Sequence, residues 1–320
     1  MKRKLNQTNI VMDTNDFIGL IRLCDNDSIS FDKKKDCINS IESNILEKVL
    51  ATIYTDPAYF TKIQRTLDKL RNCKSLNLAQ KNTIKSFPFL LFISDIITSI
   101  DIMIIKNFMK KSKDIFCPTD SDNNRQYYFS ESYQTYFLNE KLYTKSIYQK
   151  GKGSPTKEID NIIQRITDQF YTTLKTHCNN FNKNDCKQYQ LNVFLAQNKT
   201  KDNTNSFKPE SNAHVAWHRD CDGKNIPDYS MVILLDEPTW IGGNLLCQYT
   251  GINLNRKKTF KTPIVTFTPQ YKGGIILRNY DTQHMVDEIK PIPKPNNDNS
   301  FVRSVLVLQL YKHMYAYDKI

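Results

Sequence analysis

The spacing of apolar and polar positions changes character near residue 185. Upstream, apolar residues recur with a helical period. Ile41, Ile45, Leu46 and Val49 share one face across 41–50, and Phe60, Ile63, Leu67 and Leu70 share one across 59–70. Pro57 stands where the second of these helices should begin, since a proline in the first turn gives up only a backbone donor that would be unpaired anyway. The stretch 85–111 reads as one or two buried helices interrupted near Pro88. Ile159, Ile162, Ile163, Ile166, Phe170 and Leu174 trace a further amphipathic helix. Turn-rich segments at 117–125 and 150–156 flank a tyrosine-rich stretch, 127–148, that reads as partly extended.

Downstream the period shortens to two. Strands are expected over 190–197, 214–217, 229–236, 243–249, 264–267, 274–278, 284–289 and 303–311, with Gly, Pro, Asn and Asp between them. Eight short strands of this kind fit a double-stranded β-helix, the jelly roll. The expected fold class is therefore α+β. Residues 1–125 form a mainly helical N-terminal region, and 126–320 carry the jelly roll with its supporting helix.

Composition narrows the class. A chain of 320 residues has room for one large domain or two modest ones, and 39% hydrophobic against 24% charged residues describes a globular protein. The longest apolar run, 87–105, is broken by Ser94, Asp95, Thr98, Ser99 and Asp101, which is too polar for a membrane span, so no membrane partner is expected. The first residues, Met1-Lys-Arg-Lys, lead into no apolar signal segment. Eight cysteines without a C-x-x-C pair read as reduced thiols, and the expected location is intracellular, cytoplasmic or nuclear. The net charge of +12 fits attraction to nucleic acid; it fits equally the Lys-, Asn- and Ile-rich usage of an AT-rich genome.

The candidate chemistry lies in the β half. His218-Arg-Asp220 places an imidazole and a carboxylate two residues apart, on one face if the segment is extended. His284 follows on another β segment. Two histidines and one carboxylate make a facial triad that holds Fe(II) and leaves one side of the metal open. Arg303 opens a strongly apolar strand, Arg303-Ser-Val-Leu-Val-Leu-Gln309, and an inward guanidinium there needs a carboxylate partner. Asn192 and Tyr229 are further candidates to contact a cosubstrate. Trp217 reads as core, and Arg219 and Arg278 as solvated charge. The glycine pairs 242–243 and 273–274 read as turns at strand entries.

In order, His218-x-Asp220, Gly242-Gly243-Asn-Leu, Gly273-Gly274-Ile-Ile-Leu, His284 and Arg303-Ser304 resemble the Fe(II)/2-oxoglutarate-dependent dioxygenase superfamily over about residues 188–312. The resemblance implies iron ligands at His218, Asp220 and His284 and a 2-oxoglutarate clamp at Arg303. It implies Fe(II), 2-oxoglutarate and O2 as the reaction's partners. Within the superfamily, Asn192-Val-Phe194 and Trp217-His218-Arg-Asp220 are similar to segments of the AlkB and FTO type of nucleic-acid demethylase. A second arginine of that type would fall at Gln309. Three functions stay open on the sequence: oxidation of a nucleic-acid base, hydroxylation of a protein side chain or small molecule, and a metal-free β-sandwich binding module.

Overall fold

The computed structural model describes residues 17–111, 130–135, 157–178, 181, 188–198, 213–220, 228–250, 262–292 and 301–311. The turn-rich segments read at 117–125 and 150–156 lie outside the described residues, as does most of the tyrosine-rich stretch. The chain opens with α1 (Phe17–Asp25), α2 (Phe31–Ser40), α3 (Ser43–Ile53), α4 (Pro57–Asn72) and α5 (Leu78–Ser86). Asp56 caps α4, its carboxylate accepting from the Ala58 amide at 2.8 Å, and Pro57 occupies the first turn. Phe60, Ile63, Leu67 and Leu70 of α4 are fully buried. A helix that turns every fourth residue inward in this way is held by its neighbours more than by intrinsic propensity.

One expectation gives way here. The apolar run after Pro88 is not helical but a strand, β1 (Leu90–Ile93), with α6 (Ser99–Lys111) only beyond it. A short unbroken apolar run has no period, so its pairing decides. β1 pairs antiparallel with β9, Leu90 opposite Leu277 and Ile93 opposite Gly274. The region 1–125 thus contributes a strand to the downstream sheet. Helices α1–α5 also share one buried cluster with Leu245, Cys247, Val265, Phe267, Ile275 and Leu277 of the β half.

After β2 (Ser130–Thr135) and α7 (Lys157–His177) come β3 (Gln188–Asn198), β4 (Ala213–His218), β5 (Tyr229–Leu234), β6 (Trp240–Gly242), β7 (Leu245–Tyr249), β8 (Ile264–Phe267), β9 (Gly274–Arg278), β10 (Thr282–Pro291) and β11 (Phe301–Tyr311). Each of the eight expected strands is present. The ladders form two antiparallel sheets. One has the order β1-β9-β5-β11-β3-β2, the other β4-β10-β7-β8 with β6 on β10. This is a mixed fold of helices and antiparallel sheets.

The first sheet is covered on both faces. Leu306, Leu308 and Leu310 of β11 pack with Ile159, Ile162, Ile166, Phe170 and Leu174 of α7. The alternate residues Val305 and Val307 pack with Trp240 and Ile289 of the second sheet. Burial on both faces explains why β11 reads as a continuous apolar run rather than an alternating one. Among the described residues no helix is long and apolar enough to cross a membrane, and Cys24, Cys37, Cys73, Cys178 and Cys247 are free thiols.

Candidate metal centre

Strand pairing assembles the triad. His218, the last residue of β4, lies directly opposite His284 of β10. Their rings sit 4.2 Å apart between centroids, tilted at 54°. The strand ends at His218, and Asp220 follows just beyond it. Asp220 Oδ1 nonetheless lies 3.5 Å from His218 Nε2 and 3.5 Å from His284 Nε2. One ligand atom from each of the three residues lies within 4.8 Å of the other two. Two imidazole nitrogens and one carboxylate oxygen around a common point are the donor set of a non-haem Fe(II) site.

The protonation states suit that role. Burial alone would raise the Asp220 carboxyl. The neighbouring histidines and the Ser230 hydroxyl outweigh it and hold the group well below the usual carboxylate range. Burial pushes His284 down to about 4, against the pull of Asp220. At neutral pH the centre therefore presents an ionised carboxylate beside a neutral His284, ready to donate lone pairs. His284 Nδ1 is buried without a hydrogen-bond partner among the described residues.

Arg303 is buried, at 6% exposure. Its side chain crosses to the second sheet, where one terminal nitrogen donates to the Gly243 carbonyl at a long 3.4 Å. Its Nε is buried with no hydrogen-bond partner among the described residues. Burial lowers its pKa to about 10, and Asp287 and Asp236 oppose the drop. Among the described residues neither acid is in salt-bridge contact with it, and both accept from other donors. Asp287 accepts from the Asn244 amide and side chain at 2.6 and 2.8 Å. Asp236 accepts from the Ser304 amide at 2.5 Å and pairs with Lys106 of α6. A buried guanidinium without a carboxylate in contact is costly to keep charged.

The other sequence candidates divide. For Asn192 the structure describes the backbone alone, paired with Val307 of β11. Tyr229 does not join the triad. Its ring packs on the α7 side, 6.2 Å from Phe89 and 6.1 Å from Phe181 between centroids. Alternation along β5 turns the next residue, Ser230, toward the centre, where its hydroxyl donates to Asp220 Oδ2. Ser230 in turn accepts from Asn279 Nδ2 at 2.7 Å. Neither residue stood out in the sequence; a polar residue inside the apolar Tyr-Ser-Met-Val-Ile-Leu strand was the available signal.

Two further readings are corrected. Arg278 is not solvated. It is 6% exposed, donates to Asp68 at 2.8 Å and Asp281 at 2.5 and 3.0 Å, and lies over the rings of Phe89 and Tyr280, each at 4.8 Å. Trp217 is not core but 37% exposed. Gly242 ends strand β6, opposite Ile289 of β10, and Gly243 follows it, with φ of +78° and +72° that glycine adopts freely. A cavity of about 600 Å³ runs along α7 between Ile93, Asn161, Arg165 and Thr172, and none of the triad residues line it.

No protein-family model and no curated protein matches the chain. Among solved structures, a prolyl-4-hydroxylase from Pseudomonas putida is 9% identical with a TM-score of 0.42, covering 71% of this chain and 94% of that one. A 2OG-Fe(II) oxygenase family protein from Burkholderia pseudomallei is 12% identical with a TM-score of 0.43, covering 70% and 86%. The viral collagen prolyl hydroxylase of Paramecium bursaria Chlorella virus-1, in complex with 2OG, is 13% identical with a TM-score of 0.36, covering 69% and 94%.

Proposed function

We propose that the chain is an Fe(II)- and 2-oxoglutarate-dependent oxygenase that hydroxylates a substrate C–H bond. The observation that carries this is the meeting of His218 Nε2, His284 Nε2 and Asp220 Oδ1 at one point. Those three atoms would hold the metal. Arg303, on the strand facing them and short of partners, would grip the distal carboxylate of 2-oxoglutarate. The two antiparallel sheets, which face each other across the triad and the Val305–Trp240 cluster, fit a double-stranded β-helix.

When bound, iron supplies the oxidising chemistry. O2 and 2-oxoglutarate are converted to succinate and carbon dioxide, and one oxygen atom enters the substrate as hydroxyl. The protein's own residues do the rest. Asp220 contributes the single negative charge of the ligand set. His284, buried beneath the neighbouring strands, keeps one side of the centre dry. Arg303 would fix which end of the dicarboxylate reaches the metal, because a guanidinium offers a carboxylate two parallel donors.

On substrate, the finer reading is an N-methylated nucleic-acid base, whose hydroxylation releases formaldehyde. Its support is the net charge of +12. The test incubates the purified chain with Fe(II), 2-oxoglutarate and O2 against methylated DNA and RNA, a peptide panel and metabolites. Succinate and substrate products are read by mass. His218→Ala and Asp220→Ala should each abolish succinate formation with the melting temperature preserved. Undiminished succinate in either variant sinks the oxygenase reading; hydroxylated peptide without formaldehyde replaces the nucleic-acid substrate.

A further inference from the structure

The two oxygens of Asp220 have different surroundings. Oδ1 faces the two imidazoles at 3.5 Å each, while Oδ2 accepts the Ser230 hydroxyl. An ionised carboxylate only accepts, so the one proton of Ser230 is committed to it. The remaining capacity of Ser230 Oγ is to accept, and Asn279 Nδ2 donates to it at 2.7 Å. The polarity of this relay is therefore fixed from end to end. Ser230 and Asn279 are both fully buried, so no water competes for either contact. Asn279 is itself anchored, its backbone amide donating to the Asp228 carbonyl at 3.0 Å. Its own Oδ1 is buried without a partner among the described residues, which fits an amide oriented for the sake of Nδ2.

We infer that Ser230, oriented by Asn279, is a positioning residue that pins Asp220 Oδ2 so that Oδ1 alone is presented to the metal. This rests on the iron reading above. Asn279 sits in the turn between β9 and β10, five residues before His284, so the relay ties the carboxylate ligand to the hairpin that carries the distal histidine. Removing the hydroxyl would take from Oδ2 the donor it has among the described residues and free the carboxylate to rotate. Outer partners of metal ligands typically tune affinity by roughly 10- to 100-fold.

The experiment titrates the metal-free full-length chain with Co(II) and follows its visible absorption, with the melting temperature of each metal-free variant recorded alongside. Ser230→Ala should weaken Co(II) binding by roughly 10-fold or more. Ser230→Thr, which keeps the hydroxyl, should restore most of it. Asn279→Ala should weaken binding less than Ser230→Ala, and the double variant should be no weaker than Ser230→Ala, because Asn279 acts only through the hydroxyl. Wild-type affinity in a folded Ser230→Ala chain, where Asp220→Ala has lost Co(II), overturns the positioning role and leaves the iron site standing. If Ser230→Ala does not fold, unchanged affinity in Asn279→Ala overturns it instead. A wild-type chain that takes up no Co(II), or an Asp220→Ala chain that binds it normally, removes the iron reading itself.

Discussion

Replacing Arg303 by methionine separates a clamp from a structural arginine by the sign of its effect. Among the described residues the buried guanidinium makes one long hydrogen bond and its Nε has no partner. Burial has brought its pKa down to about 10, from above 12 in water. A fall of that size corresponds to about 3 kcal/mol of unfavourable burial of the charge. Methionine has a similar reach, no charge and the flexibility to fill the gap beside Trp240 and Gly243. Arg303→Met should therefore leave stability in urea unchanged or raise it, by up to about 3 kcal/mol. With 2-oxoglutarate the sign reverses. Losing a buried, hydrogen-bonded charge partner costs about 2–5 kcal/mol, which is a rise of roughly 30-fold to over 1,000-fold in the concentration needed for half-maximal succinate formation. The assays are urea unfolding of the apo protein and succinate formation against 2-oxoglutarate concentration. A variant that loses more than about 1 kcal/mol of apo stability and keeps its 2-oxoglutarate dependence would show that the arginine serves the fold, and the clamp would have to be sought elsewhere.

Other perturbations follow from the same coordinates. Arg278→Met removes the guanidinium that pairs with the buried carboxylates of Asp68 and Asp281 and should cost about 3–5 kcal/mol, or roughly 10 °C of melting temperature; a loss under about 1 kcal/mol would mean that the acids' other contacts suffice. His284, held down to about 4 by burial, stays neutral in the metal-free native state while the unfolded chain takes up its proton below about 6.5. Stability of the metal-free protein should accordingly fall as pH drops from about 6.5 to about 4, by about 3 kcal/mol in total, and His284→Gln should flatten that slope in urea melts at each pH. Gly242→Ala places a Cβ 1.9 Å from the Glu288 carbonyl oxygen at a φ of +78°, so a destabilisation of about 2 kcal/mol or more is expected, and a neutral result in thermal melts would show that the turn can reshape.

Much of the β half was legible because its chemistry is scarce and its strands are bounded by turn residues. Five histidines in 320 residues leave few ways to build a His-Asp-His set, and both 264–267 and 274–278 were readable to the residue. What stayed hidden depends on partners remote in sequence. Leu90–Ile93 becomes a strand because Gly274–Leu277 offers it an edge, a fact absent from the local pattern. Arg278 looks like surface charge until Asp68, 210 residues away, is seen against it.

The phase of β5 is a different kind of limit, and it bears on function. The strand and its position in the fold were read correctly, but a strand presents alternate residues to opposite faces, and the aromatic phenol was the more conspicuous candidate. The phase is set by packing. Tyr229 goes to the α7 side because Phe89 and Phe181 stand there to receive its ring, and Met231 and Ile233 bury with that same side. Ser230 is then turned to the centre, where a small hydroxyl can reach Asp220 and a tyrosine would have to displace the triad. Chemistry at this site is thus selected by the apolar neighbours that fix the strand's phase as much as by the polar residues that carry it out. A substitution on the α7 side that rotated β5, such as a charge at Met231, should disturb metal binding through Ser230 without touching a ligand.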